Sequence, residues 1–135
     1  MDRKTAILAG LPIFSKLDQR SLEAVGTLAR EVSLPAGSVL MQEGEPADAF
    51  FVIVTGVVRV ERQGQFVRSM SDGGFLGEIA MLEGSERTAT ATCATDGDFL
   101  RLGSFEFGRL MARFPDIRER VETALTRRPH GSESA

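Results

Sequence analysis

Tryptophan and tyrosine are absent from this 135-residue sequence, and cysteine and histidine occur once each, as Cys93 and His130. A single cysteine excludes an intramolecular disulfide and any CxxC motif, so we expect the reducing environment of the cytoplasm. A metal-dependent β-roll enzyme of the cupin type needs several converging imidazoles, and one histidine in a polar tail cannot supply them. We therefore predict neither a metal site nor a catalytic role.

The sequence also lacks an excess of basic charge and a long apolar run. Its formal net charge is −3, which argues against DNA or RNA as a direct partner because polyanion binding needs a basic surface. No apolar run approaches the ~18–20 residues of a membrane-spanning helix, so direct membrane insertion is not expected. Nine phenylalanines instead offer apolar rings for the core of one domain of this length.

The N-terminal quarter has the pattern of helices. Asp18 is a typical N-cap for a helix over residues 19–30. Proline at position 12, within the apolar run 11–14, predicts a short turn or 3₁₀ segment. We therefore predict a helical segment over residues 1–34.

Between residues 35 and 103, short β-rich runs alternate with glycine turns. The turns recur roughly every 8–12 residues, which is typical of a compact β-sandwich or barrel. The continuous apolar run 50–54 predicts a strand buried on both faces, whereas Val58 and Val60 alternate with charged residues as on a half-exposed strand. Further strands are predicted over residues 38–42, 66–69, 88–94 and 99–102.

Two C-terminal helices are predicted over residues 104–128. Ser104 would cap the first, over 105–113, and Pro115 suits the first turn of the second. The tail, residues 129–135, is expected to be disordered. An apolar stripe on the last helix is formed by Ile117, Val121 and Leu125.

The segment 73–89 interrupts the β pattern and carries the candidate site. Residues 77–82 predict one or two helical turns whose N-terminus favours an anion, and Arg87 can add a bidentate clamp on a phosphate. A carboxylate beside a pure phosphate site would repel the ligand, so Glu78 indicates a ligand that also carries hydroxyl groups. A ribose with a cyclic 3′,5′-phosphate meets both demands.

The runs Gly77-Glu78-Ile79-Ala80 and Arg87-Thr88-Ala89 together resemble the phosphate-binding cassette of cyclic-nucleotide-binding domains. Within that family, the sequence resembles the C-terminal domain of bacterial cyclic-nucleotide-gated potassium channels, through residues 12–17, 44–46 and 124–128. The resemblance implies an α+β fold: an eight-stranded, jelly-roll-like β-roll with an N-terminal helical segment and two C-terminal helices. It implies backbone contacts from Gly77, Ile79 and Ala80, ribose binding by Glu78, phosphate binding by Arg87, and a phosphate shell completed by Thr88 and Ala89.

The same resemblance implies a switch without catalysis. The ligand would be cAMP or cGMP, since a hydroxyl at Thr88 is compatible with both, and no cofactor is implied. The last helix would close over the base as a lid, with Val58 and Met70 against the base and Arg118 or Arg120 capping it. The implied partner is the pore domain of a membrane potassium channel.

Other readings stay open at this point. The chain could be a stand-alone cAMP-responsive regulator or a degenerate, non-binding interaction module, and Glu78 and Arg87 could form an ordinary salt bridge across a turn. Arg118 and Arg120 could be solvated charges of a helix surface. Cys93, within the predicted strand 88–94, is expected to be a small buried apolar residue without a redox role.

Overall fold

The structure is a computed structural model that describes residues 2–127, with side chains to residue 124. Its helices are α1 (Arg3–Ala9), α2 (Gln19–Leu28), α3 (Glu78–Glu83), α4 (Ser104–Arg113) and α5 (Pro115–Arg127), with a 3₁₀ helix, η1, at Pro12–Phe14. Its strands are β1 (Arg30–Leu34), β2 (Val39–Met41), β3 (Ala49–Thr55), β4 (Val58–Arg62), β5 (Gln65–Met70), β6 (Phe75–Leu76), β7 (Thr90–Cys93) and β8 (Gly97–Gly103).

The eight strands of the described chain form two antiparallel sheets. Sheet A has the strand order β1-β8-β3-β6, and sheet B has the order β2-β7-β4-β5. The helices precede and follow this β-roll, apart from α3, which is inserted between β6 and β7. The α+β fold with an eight-stranded β-roll is therefore confirmed.

Strand β3 lies between β8 and β6 in sheet A, and both of its faces are buried. One face packs on the helix-side core, whose main members are Leu8, Phe14, Phe50, Val52, Leu100, Leu102, Phe107, Ile117 and Val121. The other face packs on the roll core between the sheets, formed by Leu40, Met41, Ala49, Phe51, Ile53, Val58, Val60, Met70, Leu76, Ala89, Ala91, Cys93 and Phe99. The continuous apolar run of this strand is thus explained by two cores that share it.

The N-terminal helical segment is shorter than predicted. The Asp18 carboxylate accepts a hydrogen bond from the Ser21 backbone N–H at 2.8 Å, so this N-cap is confirmed. The prediction of helix up to residue 34 is wrong, because residues 30–34 form β1. In that strand Val32 pairs with Phe99 of β8, and pairing with a distant strand supplies the backbone partners that a longer helix would have supplied.

The C-terminal helices follow the predicted order with one correction. Ser104 is the first residue of α4 rather than its cap; Gly103 holds the cap position, and no side-chain hydrogen bond caps this helix in the described chain. Helix α5 begins at Pro115 as predicted. Ile117 and Val121 are buried at 1% and 0% exposure. The Leu125 side chain and the predicted tail 129–135, with His130, lie outside the described residues.

Among the described helices, none combines the length and the apolar character needed to cross a membrane. Cys93 is 2% exposed within the roll core, and burial raises the pKa of its thiol. The prediction that Cys93 packs as a small apolar residue is confirmed.

Replacing Phe50 by alanine tests the contact between sheet A and the helices. The Phe50 ring is fully buried, and its centroid lies 4.9 Å from that of Phe107. We expect Phe50→Ala to lower the free energy of unfolding by about 3–5 kcal/mol, because the removed ring leaves a cavity. Phe105→Ala is the matched control, since Phe105 is 69% exposed, and it should change stability by no more than about 0.5 kcal/mol. Urea denaturation measures both, and equal losses would contradict this account of the core.

Candidate functional site

Gly77 connects β6 to α3 in a backbone conformation that other residues rarely adopt. Its φ is +98°, and it holds the N-cap position of the helix. A Cβ atom here would lie 2.9 Å from the Ala49 carbonyl oxygen and 3.0 Å from Arg87 Nη1. Glycine is therefore required both for the left-handed turn and for the close approach of the Arg87 guanidinium.

Arg87 is the charged centre of the site, and its side chain is 1% exposed. Its Nη1 donates to the Gly77 carbonyl at 3.0 Å, and its Nη2 donates to the Ala49 carbonyl. Nη2 also lies 3.6 Å from the Asp48 carboxylate. Within residues 2–127 no acceptor lies within hydrogen-bond distance of the buried Nε. Its N–H can therefore donate to an acceptor on a bound ligand.

Glu78 lies in the first turn of α3 and is fully buried. Burial lowers the pKa of Arg87, and the neighbouring carboxylates of Asp48 and then Glu78 oppose that shift. An arginine stays protonated in proteins, so the site keeps a buried positive charge beside a buried acidic group. The charge of Glu78 thus acts on the Arg87 guanidinium, which also bonds the Gly77 carbonyl at the start of α3, and a ligand pocket shared by the two residues stays a prediction.

The backbone of Arg87 is held as firmly as its side chain. Its N–H donates to the Glu45 carbonyl at 2.8 Å, and its carbonyl accepts from the Gly44 N–H at 2.9 Å. These bonds tie the segment after α3 to the loop before β3. Strand β7 begins at Thr90 rather than at residue 88 as predicted.

The remaining cassette residues lie in α3 and directly after Arg87. Ile79 and Ala80 are buried in α3, Thr88 is half-buried, and Ala89 belongs to the roll core at 2% exposure. A cavity of about 280 Å³, lined in part by Met41, Asp48 and Arg87, opens beside the guanidinium.

Asp48 is the residue that sequence reasoning missed. It stands between Arg87 and Arg101, whose Nη2 lies 3.9 Å from the Asp48 carboxylate. Asp48 directly precedes β3 in an otherwise ordinary loop, so no local motif marks it. Only the antiparallel pairing of β3 with β8 brings Arg101 to this point.

The residues predicted to touch the base lie in three places. Val58 and Met70 pair directly across β4 and β5 and are buried in the roll core. Arg118 borders a cavity of about 680 Å³ between α3 and α4 and lies 3.5 Å from Glu122. Arg120 instead donates to the Pro12 carbonyl of η1.

The described chain is a β-roll with a short helix inserted between β6 and β7 and a buried arginine close to the start of that helix. Residues 31–114 match the family model of the cyclic nucleotide-binding domain. The chain therefore belongs to the cyclic nucleotide-binding domain family, as the resemblance predicted.

Individual relatives agree with this assignment. The chain is 35% identical to a cyclic nucleotide-gated potassium channel of Rhizobium etli, covering 93% of this chain and 36% of the channel. It is 32% identical to the cAMP-dependent protein kinase regulatory subunit of Aspergillus fumigatus, covering 87% and 29%. The chain thus spans about a third of the length of these relatives. The catabolite activator protein of Thermus thermophilus has the same fold, with a TM-score of 0.77 at 24% identity, over 86% of this chain and 57% of that one.

Replacing Gly77 by alanine tests the close packing around Arg87. Gly37 offers a matched control, since its φ is +92° and a Cβ there would meet nothing within 4 Å. Gly37→Ala should lower the free energy of unfolding by about 1–2 kcal/mol, the cost of a left-handed alanine. Gly77→Ala should lower it further, because the methyl group also collides with the Ala49 carbonyl and Arg87. Urea denaturation of both variants measures the difference, and equal losses would show that the approach of Arg87 is not tight.

Proposed function

We propose that this chain is a regulatory domain that binds cAMP or cGMP, with the cyclic phosphate at Arg87 and the ribose at Glu78. The observation that carries the proposal is that two charged side chains are buried close to the start of α3: Glu78 lies in its first turn, and Arg87 donates to the Gly77 carbonyl just before it. Burying charge is costly unless it is compensated, so a structural role alone gives little reason to place both there. A ligand that brings an anion and hydroxyl groups together gives each side chain a function.

The Arg87 side chain is pre-oriented for an anion. Its two Nη atoms are fixed by the Gly77 and Ala49 carbonyls, which leaves Nε for a phosphate oxygen. Hydrogen bonds to charged groups contribute about 1.5–3 kcal/mol each. Backbone N–H groups at the start of α3, including those of Ile79 and Ala80, have no partners within the helix and would complete the phosphate contacts with Thr88 and Ala89.

Glu78 would bind the sugar. A carboxylate accepts hydrogen bonds but donates none, so it favours the ribose 2′-hydroxyl and disfavours a second anion. This selectivity would separate cyclic nucleotides from inorganic phosphate. The presence of both Glu78 and Arg87 argues against a degenerate, non-binding module.

The last helix would respond to the ligand. Helix α5 packs on the helix-side core through Ile117 and Val121, and its Arg118 borders the cavity beside α3. If the nucleotide binds more tightly when α5 is closed over the base, binding shifts the population towards closure. Arg118 is the better placed of the two predicted caps, because Arg120 is bonded to η1.

The output that we propose is the gating of a potassium channel from its cytoplasmic side. It is supported by the identity to the Rhizobium etli channel over nearly the whole of this chain. A stand-alone cAMP-responsive regulator is the alternative, and the similarity to the kinase regulatory subunit favours it.

Substitution of Arg87 tests the phosphate assignment. Because the side chain also bonds two carbonyls, Arg87→Lys accompanies Arg87→Ala, and thermal unfolding verifies that each variant folds. We expect cAMP and cGMP binding to weaken by about 2–5 kcal/mol, the usual cost of removing one partner of a buried charge pair. Isothermal titration calorimetry measures this loss. Arg109→Ala, on the outer surface of α4, is the control, and unchanged affinity in a folded Arg87 variant would refute the assignment.

Substitution of Glu78 tests the sugar contact. Glu78→Gln keeps the size of the side chain and removes its charge, and Glu83→Gln at the exposed end of α3 is the control. The Glu78 variant should lose affinity for cAMP but lose much less for 2′-deoxy-cAMP, which lacks the hydroxyl. Competition binding with both nucleotides gives the two losses. If they are equal, Glu78 does not contact the 2′-hydroxyl.

A further inference from the structure

Arg120 connects the last helix to the N-terminal part of the chain. Its guanidinium donates to the Pro12 carbonyl of η1, although the two residues are 108 positions apart in the sequence. Arg118, two positions earlier, instead forms an ion pair with Glu122 of the same helix. Of the two arginines predicted as caps, Arg120 is thus the one that makes a polar contact between α5 and another element.

The 3₁₀ helix η1 is itself fixed to the β-roll. Ile13 and Phe14 are buried in the helix-side core. Pro12 packs on the turn before β6, since a Cβ atom at Gly73 would lie 3.1 Å from Pro12 Cδ. The Gly73 N–H in turn donates to the Ile53 carbonyl of β3 at 2.8 Å. A helix that is bonded to Pro12 is therefore attached to a rigid part of the domain.

In this structure, α5 lies away from the residues that were predicted to face the base. Its buried residues Ile117 and Val121 pack in the helix-side core, whereas Val58 and Met70 belong to the roll core. The two cores lie on opposite faces of β3. We call this arrangement the open state, because a helix that closes over the base has to move from this position.

We infer that Arg120 is a positioning residue that holds α5 in the open state, and that its bond to η1 breaks when the helix closes. The inference rests on the proposed function, since closure follows from a bound cyclic nucleotide. A protein whose binding-competent state is only partly populated binds its ligand more weakly by that fraction. The bond between Arg120 and Pro12 therefore lowers the affinity for the nucleotide, and its removal raises that affinity.

The two neighbouring arginines of α5 are thus expected to act in opposite directions. Arg118 borders the cavity beside α3, and as a cap of the base its removal would weaken binding. Removal of Arg120 strengthens binding instead, because it releases the helix. One hydrogen bond of ordinary net strength corresponds to roughly 2–10-fold in an equilibrium constant, which sets the size of the gain.

Calorimetric titration with cAMP and cGMP tests the inference on the wild-type chain and on two variants of Arg120. Arg120→Ala removes the whole side chain, and Arg120→Met keeps an unbranched stem without a donor; both residues favour a helix, and thermal unfolding verifies the fold. Both variants should bind the nucleotide roughly 2–10-fold more tightly than the wild type. Ser15→Ala is the matched control, because the Ser15 hydroxyl donates to the same Pro12 carbonyl at 2.9 Å but does not hold α5. Its affinity should equal that of the wild type.

Hydrogen exchange of the ligand-free chain supplies a readout that needs no nucleotide. The backbone amides of α5 should exchange faster in both Arg120 variants than in the wild type, because the helix leaves the open position more often. The amides of β3 should be unchanged in all variants, and Ser15→Ala should leave the exchange of α5 as it is in the wild type.

The outcomes separate the two proposals. If the wild type binds a cyclic nucleotide but the Arg120 variants bind it no more tightly, the role of Arg120 is refuted and the proposed function stands. Unchanged exchange of α5 in the ligand-free variants would also refute that role, because the bond would then not hold the helix. If the wild type binds neither cAMP nor cGMP, the proposed function fails. The effect of Arg120 on affinity fails with it, even where hydrogen exchange shows that the bond holds α5 in place.

Discussion

A guanidinium buried away from water is the constraint around which this domain is built. Arg87 is acceptable inside the protein only because backbone carbonyls accept two of its donors and carboxylates lie nearby. Those partners come from the start of β3, the start of α3 and the loop before β3. The arginine therefore fixes the relative positions of three segments. Position 77 is glycine because the Arg87 side chain lies where a Cβ atom would collide with it.

Much of the fold could be predicted from the sequence because its signals are local. Asp18 marks the start of α2, Pro115 marks the start of α5, and the apolar run of β3 follows from burial on both sides. The candidate site was equally accessible, since Glu78 and Arg87 lie within one short segment. Glu78 and Arg87 are nine positions apart in the sequence. A short helix and a turn over that interval are enough to bring the chain back on itself.

What could not be predicted depends on pairing between distant strands. Strand β1 follows directly after α2 in the sequence, and only its pairing with β8 makes it a strand rather than a continuation of the helix. Asp48 carries no motif, and its role depends on two arginines that the fold brings to it. The irregularity between β4 and β5, where the register shifts after Val60, likewise depends on strand pairing that a single sequence does not specify. The local sequence thus identified the charged residues of the site, whereas the residues around them can be identified only from the tertiary structure.

The Ala49–Phe50 peptide group has a consequence for how the domain could transmit a signal. Its oxygen accepts from Arg87, while the adjoining Phe50 ring rests against Phe107 of α4. One rigid planar peptide group therefore connects the acceptor of the Arg87 side chain to the residue that contacts α4. A small tilt of that peptide plane can leave the hydrogen bonds of the sheet intact. It would shift the Phe50 ring against Phe107 on the opposite side of the strand.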